Sequence, residues 1–294
     1  MITPASPNQR RLRLRTLLED AVCRIPASVY DPISARLAED LGFQCGMLPG
    51  SVAALAVLGA PDPALLRGDD FALQARRIVR ATRSLPLLAD AERGNDGGAG
   101  TMRSVEELEA AGAAAVVLGD VLPPPLWSRR KPPRLLPRDE ATGRIRAALT
   151  ARQDPALLII ARCEALELGA LGEATARAHA YAAAGADALS LSGASTLEQV
   201  RVIADAAGRP VLLAGGRDDW TMEELAAAGV RLAAGGPQPF LAAVRAVCET
   251  LTDLRDGTPP DALANQADAT LLRQVGRAIE YEAAVAAYLG KNRA

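Results

Sequence analysis

The sequence predicts an α/β protein built as a (β/α)8 barrel of the TIM type. Eight short apolar segments, rich in Val, Ile and Leu, alternate with segments of helical periodicity. Several of the apolar segments are continuously hydrophobic, which is typical of parallel strands covered on both faces. The eight predicted strands span residues 25–30, 44–49, 86–91, 115–119, 157–163, 188–192, 210–214 and 230–234.

Two local patterns favour a closed barrel over an open, doubly wound sheet. The first strand is followed by Asp31-Pro32, and not by the GxGxxG motif that follows the first strand of a dinucleotide-binding sheet. Strand–helix alternation that is repeated eight times is also typical of a closed barrel. Several predicted helices end at a glycine that can turn the chain into the next strand, namely Gly42, Gly112, Gly185 and Gly229.

Three further helical segments are predicted after the eighth strand, over residues 238–254, 261–266 and 271–289. A (β/α)8 barrel does not require these additional helices. They therefore indicate extra packing or the exchange of a helix between subunits. No long linker divides the chain. We therefore expect a single barrel domain over residues 1–294, with the barrel at about 10–250 and a C-terminal helical extension at about 255–294.

The composition excludes several classes of function. With a net charge of −2, the chain has no global field that would draw it to nucleic acid or to an anionic membrane. No apolar segment reaches the ~18 residues of a membrane span, and the N-terminal segment is not that of a signal peptide. The four cysteines lie far apart, as expected of reduced thiols, so we expect a cytoplasmic protein.

The scarcity of two residue types narrows the chemistry. His179 is the only histidine and falls in a predicted helix, where we expect it to be structural or exposed. The only lysines are Lys131, in a proline-rich segment, and Lys291, near the C-terminus, so a Schiff-base lysine on a strand is not expected. Acid–base chemistry must then fall to carboxylates, water, Arg, Ser, Cys or Tyr.

The functional side chains of such barrels lie at the carboxyl ends of the strands. Asp90 and Glu92 end the third strand on the same side, and a hydrophobic core does not tolerate two carboxylates without partners. A divalent cation with oxygen ligands explains the pair, and Asp62 and Asp120 could join it. The alternative is a salt bridge from these carboxylates to a neighbouring arginine, Arg93 or Arg162.

Residues after the second and fifth strands are candidates for binding anions. Gly50 and Ser51 can hold a carboxylate through backbone N–H groups and a hydroxyl, although a turn glycine and an N-cap serine explain them equally well. Arg162 ends the fifth strand and suits a substrate carboxylate or an enolate oxygen. Cys163, beside it, is expected to be a buried hydrophobic residue because no histidine is available to activate it.

Paired glycines follow the seventh and eighth strands, at Gly215-Gly216 and Gly235-Gly236. Barrels often bind a phosphate at these two loops. The glycines can also serve simply as tight turns, so both interpretations stay open.

A series of motifs, spread from about Arg10 to Cys248, occurs in the order found in a known superfamily. They are SVYDPISAR at 28–36, GSVA at 50–53, GAPD at 59–62, LAD at 88–90, GRIRAA at 143–148, DPA at 154–156, IIAR at 159–162 and YAAAGAD at 181–187. On these motifs the chain resembles the isocitrate lyase / phosphoenolpyruvate mutase superfamily. Within it, the chain is most similar to the oxaloacetate decarboxylase-like branch.

The resemblance implies a lyase or decarboxylase that depends on Mg2+, with Mn2+ as the alternative metal. Such an enzyme would act on a short α-keto or 2-hydroxy acid, such as oxaloacetate, through a metal-stabilised enolate. By resemblance, Asp90 would be the direct metal ligand, and Asp62 and Glu92 would hold metal-bound waters.

The same resemblance implies roles at the substrate. Gly50 and Ser51 would bind the substrate carboxylate, together with Asp90 on the metal side, and Arg162 would be the catalytic residue at the enolate. The expected partners are a small carboxylic acid and further copies of the chain, in a dimer or tetramer with an exchanged helix. Neither nucleic acid nor a membrane is expected as a partner.

The sequence also departs from the family pattern. The family's Asp-x-Asp reads Asp90-x-Glu92, and Gly119 stands in place of the Glu that ends the fourth strand. Gly215-Gly216 replaces a Tyr of the decarboxylase branch, and Pro237 replaces its His. Two alternatives therefore stay open. One is a catalytically impaired or non-catalytic member, and the other is an enzyme remodelled for a phosphorylated ligand or for phosphonomutase-type chemistry.

Overall fold

The computed structural model describes residues 4–61, 65–91, 97–122, 134–215, 219–264 and 266–288. Its centre is a parallel sheet of eight strands, each of which lies within one of the predicted strands, so this prediction is confirmed. In order of pairing they are β1 (Ala27–Ser28), β2 (Gly46–Leu48), β3 (Leu87–Ala91), β4 (Ala115–Gly119), β7 (Leu158–Cys163), β8 (Ala188–Leu191), β9 (Val211–Ala214) and β10 (Val230–Ala234).

The sheet closes between β1 and β10. The backbone just before β1 reaches β10, where Arg24 N donates to Arg231 O at 3.0 Å and Ala233 N donates to Arg24 O at 2.8 Å. Arg24 and Leu232 form a parallel bridge at this seam. Because a closed sheet has no free edge strand, these bonds confirm the predicted barrel class.

A small antiparallel hairpin follows β4, and the sequence does not predict it. It pairs β5 (Val121–Leu122) with β6 (Arg134–Leu135), and the segment between them, 123–133, lies outside the described residues. Strands of two residues are too short to show a hydrophobic period, which explains why the sequence analysis missed them.

Helices alternate with the strands and cover the outside of the barrel. Four of them begin at a capping box, in which a side-chain oxygen accepts from the backbone N–H of the third helical residue. The four predicted helix-ending glycines have positive φ angles, between 85° and 103°. The helices before β10 are α1 (Pro7–Glu19), α2 (Pro32–Asp40), α3 (Gly50–Leu58), α4 (Gly68–Ala81), α5 (Gly97–Ala111), α6 (Arg138–Ala151), α7 (Leu171–Ala183), α8 (Leu197–Ala207) and α9 (Met222–Ala227).

Helix α1 closes the end of the barrel at which the strands begin. Leu14 of α1 is fully buried and belongs to the apolar cluster that fills the barrel, with Leu88 of β3 and Ile160 of β7. Arginines of the same helix donate to backbone carbonyls that precede three strands: Arg10 to Leu85 O at 3.0 Å, Arg11 to Ala113 O at 3.0 Å and Arg15 to Ala156 O at 2.9 Å. Ligands therefore enter from the opposite end.

The C-terminal extension has more breaks than the sequence predicts. Helix α10 (Gln238–Arg255) agrees with prediction. Among its described residues, the second segment contains only a 3-10 turn, Pro260–Ala262, and the third is two helices, α11 (Ala269–Gly276) and α12 (Ala278–Tyr288). The break falls at Arg277, whose φ of 61° is left-handed. Its guanidinium donates to both carboxylate oxygens of Asp40, at 2.6 and 2.7 Å, which holds this uncommon conformation in place.

Helix α10 lies on the outside of the barrel. None of its residues is buried, and large apolar side chains recur at three- and four-residue spacing along it. Phe240 packs edge-on against Tyr30, with ring centroids 5.2 Å apart, which fixes the start of the helix near β1. The large apolar residues of α10 are Leu241, Val244, Val247, Leu251 and Leu254.

Among the helices of the described ranges, none has the length and apolarity needed to cross a bilayer.

We expect Leu14→Ala to lower the free energy of unfolding by about 2–5 kcal/mol, because it opens a cavity beneath the barrel. Leu12→Ala is the matched control, since Leu12 lies on the same helix but is 51% exposed. Its effect should stay within about 0.5 kcal/mol. Urea unfolding followed by circular dichroism measures both variants, and equal losses would contradict the placement of α1.

A second prediction concerns acid stability through Asp154, which ties the loop before β7 to α1. Its carboxylate accepts from Arg11 Nη1 at 2.7 Å and from Asn8 Nδ2 at 3.1 Å. Burial alone would raise the pKa of Asp154, but the hydrogen bonds from Arg11, Ala156 N and Asn8 outweigh it and lower the pKa to about 2. A depressed carboxyl pKa stabilises the fold above the ordinary value of 3.8, and this contribution is lost as the pH falls towards 2.

Asp154→Asn should therefore cost about 1–2 kcal/mol of stability at neutral pH. The difference from the wild type should shrink as the pH falls from 3.8 to about 2, where the native carboxylate is itself protonated. Thermal unfolding across this pH range measures it, with Asp205→Asn on the exposed face of α8 as the control. If Asp154→Asn were still less stable than the wild type by the same amount at pH 2, the depressed pKa of Asp154 would not be the cause.

Candidate active site

Two opposite charges meet at the carboxyl end of the barrel. Asp90 of β3 is 3% exposed, and Arg162 of β7 forms an ion pair with it through Nη2. Strand β4 lies between them, and its residue in register with Arg162 is Gly119. An added Cβ at Gly119 would meet nothing within 4 Å, so the absent side chain leaves open space beside the guanidinium.

The sequence analysis proposed this ion pair only as the alternative to a metal site. Asp90 is buried at the predicted strand end and does contact Arg162. The two interpretations are compatible, because a carboxylate has two oxygens and can contact a cation and an arginine together.

A second carboxylate, Glu164, joins Arg162 and is not among the predicted site residues. Its Oε1 lies 3.5 Å from Arg162 Nη1, and its backbone N–H donates to Asp120 Oδ1 at 3.1 Å. Polar residues just past the carboxyl end of a barrel strand are candidates by position. That rule, extended beyond Cys163, would have found Glu164.

Asp120 does not join a metal site as the sequence analysis allowed. Its carboxylate is 2% exposed and lies behind the strands, where it accepts from Tyr181 Oη at 2.7 Å and from Arg177 Nη1 at 3.2 Å. Burial raises the pKa of Tyr181, and the neighbouring Asp120 charge raises it further. Asp120 therefore anchors the backbone of Glu164 from outside the cavity.

The charged pair opens into a cavity of about 260 Å³ at the barrel mouth. Ser51 lies in its wall and is exposed, while Gly50 is buried as the first residue of α3. Pro49, and not Ser51, occupies the N-cap position, so the N-cap interpretation of Ser51 is wrong. The remaining polar lining residues are Ser28, Glu164, Glu167 and Ser192.

One side of the cavity consists of small or apolar residues contributed by the ends of β9 and β10. Added Cβ atoms at Gly215 and Gly235 would meet nothing within 4 Å, so this side has spare room. Gly216, one of the glycines predicted to bind a phosphate or to form a turn, lies outside the described residues. The described residues of this wall are Ala214, Gly215, Ala234, Gly235, Gly236 and Pro237.

The fit of a divalent cation can be judged from the donors present. Mg2+ is commonly held by one or two carboxylates and keeps several waters. Asp90 and Glu164 offer carboxylates at a cavity with room for water. Across the described ranges no three His, Cys, Asp or Glu side chains converge on one point, and the predicted ligands Asp62 and Glu92 lie outside those ranges. The described donors fit a largely hydrated cation.

Two residues are excluded from the chemistry, as predicted. Cys163 is fully buried, and burial raises the pKa of its thiol to about 12, so no thiolate nucleophile forms near neutral pH. His179 is exposed on α7 and is not among the residues that line the cavity.

The family model of phosphoenolpyruvate phosphomutase matches residues 14–255. The chain belongs to the phosphoenolpyruvate mutase family. It is 46% identical over 271 residues to the oxaloacetate decarboxylase of Rhodopseudomonas palustris (strain BisA53). The aligned region covers 91% of this chain and 92% of that protein.

Solved structures of the phosphoenolpyruvate mutase family have the same fold. Oxaloacetate acetylhydrolase in complex with the inhibitor 3,3-difluorooxalacetate has a TM-score of 0.84 at 29% identity, over 98% of this chain and 100% of that one. Phosphonopyruvate hydrolase in complex with oxalate and Mg2+ has a TM-score of 0.84 at 28% identity, over 96% and 99%. The predicted superfamily is therefore confirmed.

A close backbone approach positions the turn that carries Glu167. The 3-10 turn Ala165–Leu168 lies against Gly193, which has a φ of 76°. A Cβ at Gly193 would lie 2.6 Å from Glu167 N and 2.8 Å from Glu167 Cα. Only glycine fits there, so Gly193 fixes one side of the mouth of this phosphoenolpyruvate mutase family member.

We expect Gly193→Ala to lower stability by about 1–3 kcal/mol, because the methyl group strains the backbone and displaces the Glu167 turn. Gly143→Ala in α6 is the matched control. Its added Cβ meets nothing within 4 Å, and its φ is not positive. It should raise stability by about 0.5–1 kcal/mol, since alanine is the better helix former. Thermal unfolding compares them, and a neutral Gly193→Ala would show that the contact is not tight.

Proposed function

We propose that the chain is a Mg2+-dependent lyase that decarboxylates oxaloacetate or a closely related short α-keto or 2-hydroxy acid. The observation that carries the proposal is the Asp90–Arg162 ion pair, buried at the open end of the barrel beside a cavity of substrate size. The oxaloacetate decarboxylase relatives and the inhibitor and oxalate complexes of family members support it.

In the proposed reaction, the residues on the different sides of the cavity have different roles. Ser51 and the backbone N–H groups at the start of α3 bind the substrate's carboxylate beside the keto group. Asp90 would hold the cation, which would supply Lewis-acid polarisation of the keto oxygen. Arg162 faces the same oxygen and stabilises the negative charge that it gains as the C3–C4 bond breaks and CO2 leaves. Glu164 keeps Arg162 oriented through its 3.5 Å contact.

The proposed partner of the enzyme is a small carboxylic acid, with Mn2+ as the alternative metal and with Asp62 and Glu92 as further metal residues. The cysteines of the described chain are free, which supports a reducing compartment such as the cytoplasm.

We further propose a homo-oligomer, a dimer or tetramer in which α10 lies in the interface. Helix α10 has no buried residue, although it carries an apolar side along its length. Apolar patches of this kind mark association surfaces. An exchanged helix would cover that side with a second copy of the chain.

Turnover and binding test the lyase proposal separately. We expect wild-type protein to release CO2 from oxaloacetate above the background of free Mg2+, and Arg162→Lys to lower that rate by at least ~10²-fold. Cys163→Ala is the matched control on the same strand and should keep its activity, because the thiol is buried away from the cavity. Wild-type protein with no activity above the background would favour a non-catalytic member.

Binding is measured by thermal stability with Mg2+, with oxalate, and with both. Oxalate imitates the planar enolate of pyruvate, so it reports on the site without turnover. At ~100 times its dissociation constant the ligand should stabilise the wild type by ~2.7 kcal/mol, and only when Mg2+ is present. Asp90→Asn should lose this shift, and Asp205→Asn should keep it. A shift that survives in Asp90→Asn would remove Asp90 from the metal site.

The oligomer is tested by light scattering. We expect a mass of at least two chains for the wild type, and a lower mass after Val247→Asp with Leu251→Asp, because charges on the apolar side of α10 oppose its burial. Leu73→Asp on α4 is the control, since Leu73 is 45% exposed but lies outside that side. A monomeric wild type would refute the proposal.

A further inference from the structure

Three serine hydroxyls near the barrel mouth are buried without a hydrogen-bond partner among the described residues. They belong to Ser28, Ser190 and Ser192. A buried hydroxyl without a partner lowers stability, and native structures usually satisfy such groups with a ligand or an ordered water. The barrel therefore keeps polar groups here that its own side chains do not use.

The position of these serines relates two of them to the cavity. Ser190 of β8 is in register with Arg162, so both side chains lie on the inner side of the barrel. Ser192, two residues further on, returns to the same side and lines the cavity. Ser28 of β1 lines it as well, whereas Ser190 does not.

Ser28 and Ser192 lie on the two sides of the small-residue wall. In the barrel order β8, β9, β10, β1, the wall comes from β9 and β10, and the two serines come from the strands next to it. The wall itself offers no side-chain proton donor at Gly215 or Pro237. Rotation about one side-chain bond can turn each serine hydroxyl towards the cavity.

The reaction of the proposed function, on which this inference rests, requires a proton at a carbon atom of the substrate. After CO2 leaves, C3 of the enolate must gain a proton to become the methyl group of pyruvate. The carboxylates of Asp90 and Glu164 both contact the Arg162 guanidinium, on the other side of the cavity from the β9–β10 wall.

We propose that Ser28 and Ser192 hold a water molecule against the β9–β10 wall, and that this water gives its proton to C3 of the enolate. The water's O–H bond breaks as the C=C electron pair of the enolate forms the C3–H bond, and an electron pair on the enolate oxygen re-forms the C=O bond of the keto group. The remaining hydroxide regains a proton from the solvent. Oxaloacetate and one proton thus give pyruvate and CO2, with atoms and charge balanced.

The exchange of the C3 protons of pyruvate for deuterium tests this step directly. By microscopic reversibility, the group that protonates the enolate also removes a proton from pyruvate. We expect the wild type with Mg2+ to accelerate this exchange in D2O. Proton NMR measures the exchange rate. Ser192→Ala and Ser28→Ala should slow the exchange by at least ~tenfold. Both variants should keep the stabilisation by Mg2+ with oxalate, because binding does not need the proton.

Two further variants separate proton delivery from a structural effect. Ser190→Ala removes an equally buried hydroxyl from β8, which ends just before Ser192, but not from the cavity lining, so its exchange rate should equal that of the wild type. Ser192→Thr keeps the hydroxyl and should restore most of the exchange that Ser192→Ala loses.

The outcomes distinguish this inference from the proposed function. If the wild type decarboxylates and exchanges, but Ser192→Ala and Ser28→Ala do so at the same rates, the serine-bound water is wrong and the lyase function stands. If Ser190→Ala slows exchange as much as Ser192→Ala, the effect is structural and the inference is also overturned. If the wild type neither decarboxylates nor exchanges, the lyase function itself fails.

Discussion

The ion pair between Asp90 and Arg162 is the constraint around which the mouth of the barrel is organised. Both charges sit at the top of an apolar interior, where an unpaired charge would be strongly unfavourable. Their strands are separated by β4, whose residue in register with Arg162 is Gly119. A Cβ added there would meet nothing within 4 Å, so the end of β4 leaves open space beside the pair.

The rest of the barrel keeps this pair in place and leaves only one end open. Helix α1 fills the opposite end with Leu14 and ties its arginines to carbonyls that precede the strands. Behind the pair, the carboxylate of Asp120 is shared by Tyr181, Arg177 and the backbone N–H of Glu164. Buried charges on the outer side of the strands thus orient a carboxylate on the inner side, which in turn contacts Arg162.

The sequence predicts the parts of the molecule that rest on long, repeated patterns. Eight apolar segments have enough length to identify the strands, and the rule that function lies at strand ends identifies Asp90 and Arg162. The side of a strand on which a single polar residue falls needs the actual register, which is why Asp120 was misplaced and Glu164 missed. The break at Arg277 depends on the distant Asp40, a contact that no local pattern contains.

The two sides of the cavity separate two chemical requirements of a decarboxylation. In the proposed reaction, charge stabilisation needs fixed groups at a known oxygen, and Ser51, Asp90 and Arg162 line the cavity where they can supply them. Proton delivery needs only a donor near the carbon, and water can serve if it is held in place. Gly215 and Pro237 leave the β9–β10 wall without side-chain donors at these positions, and the charged side lies on other strands. In the proposed reaction such a wall lowers the proton-transfer rate but preserves the part of the site that stabilises the enolate, because the two tasks do not share residues.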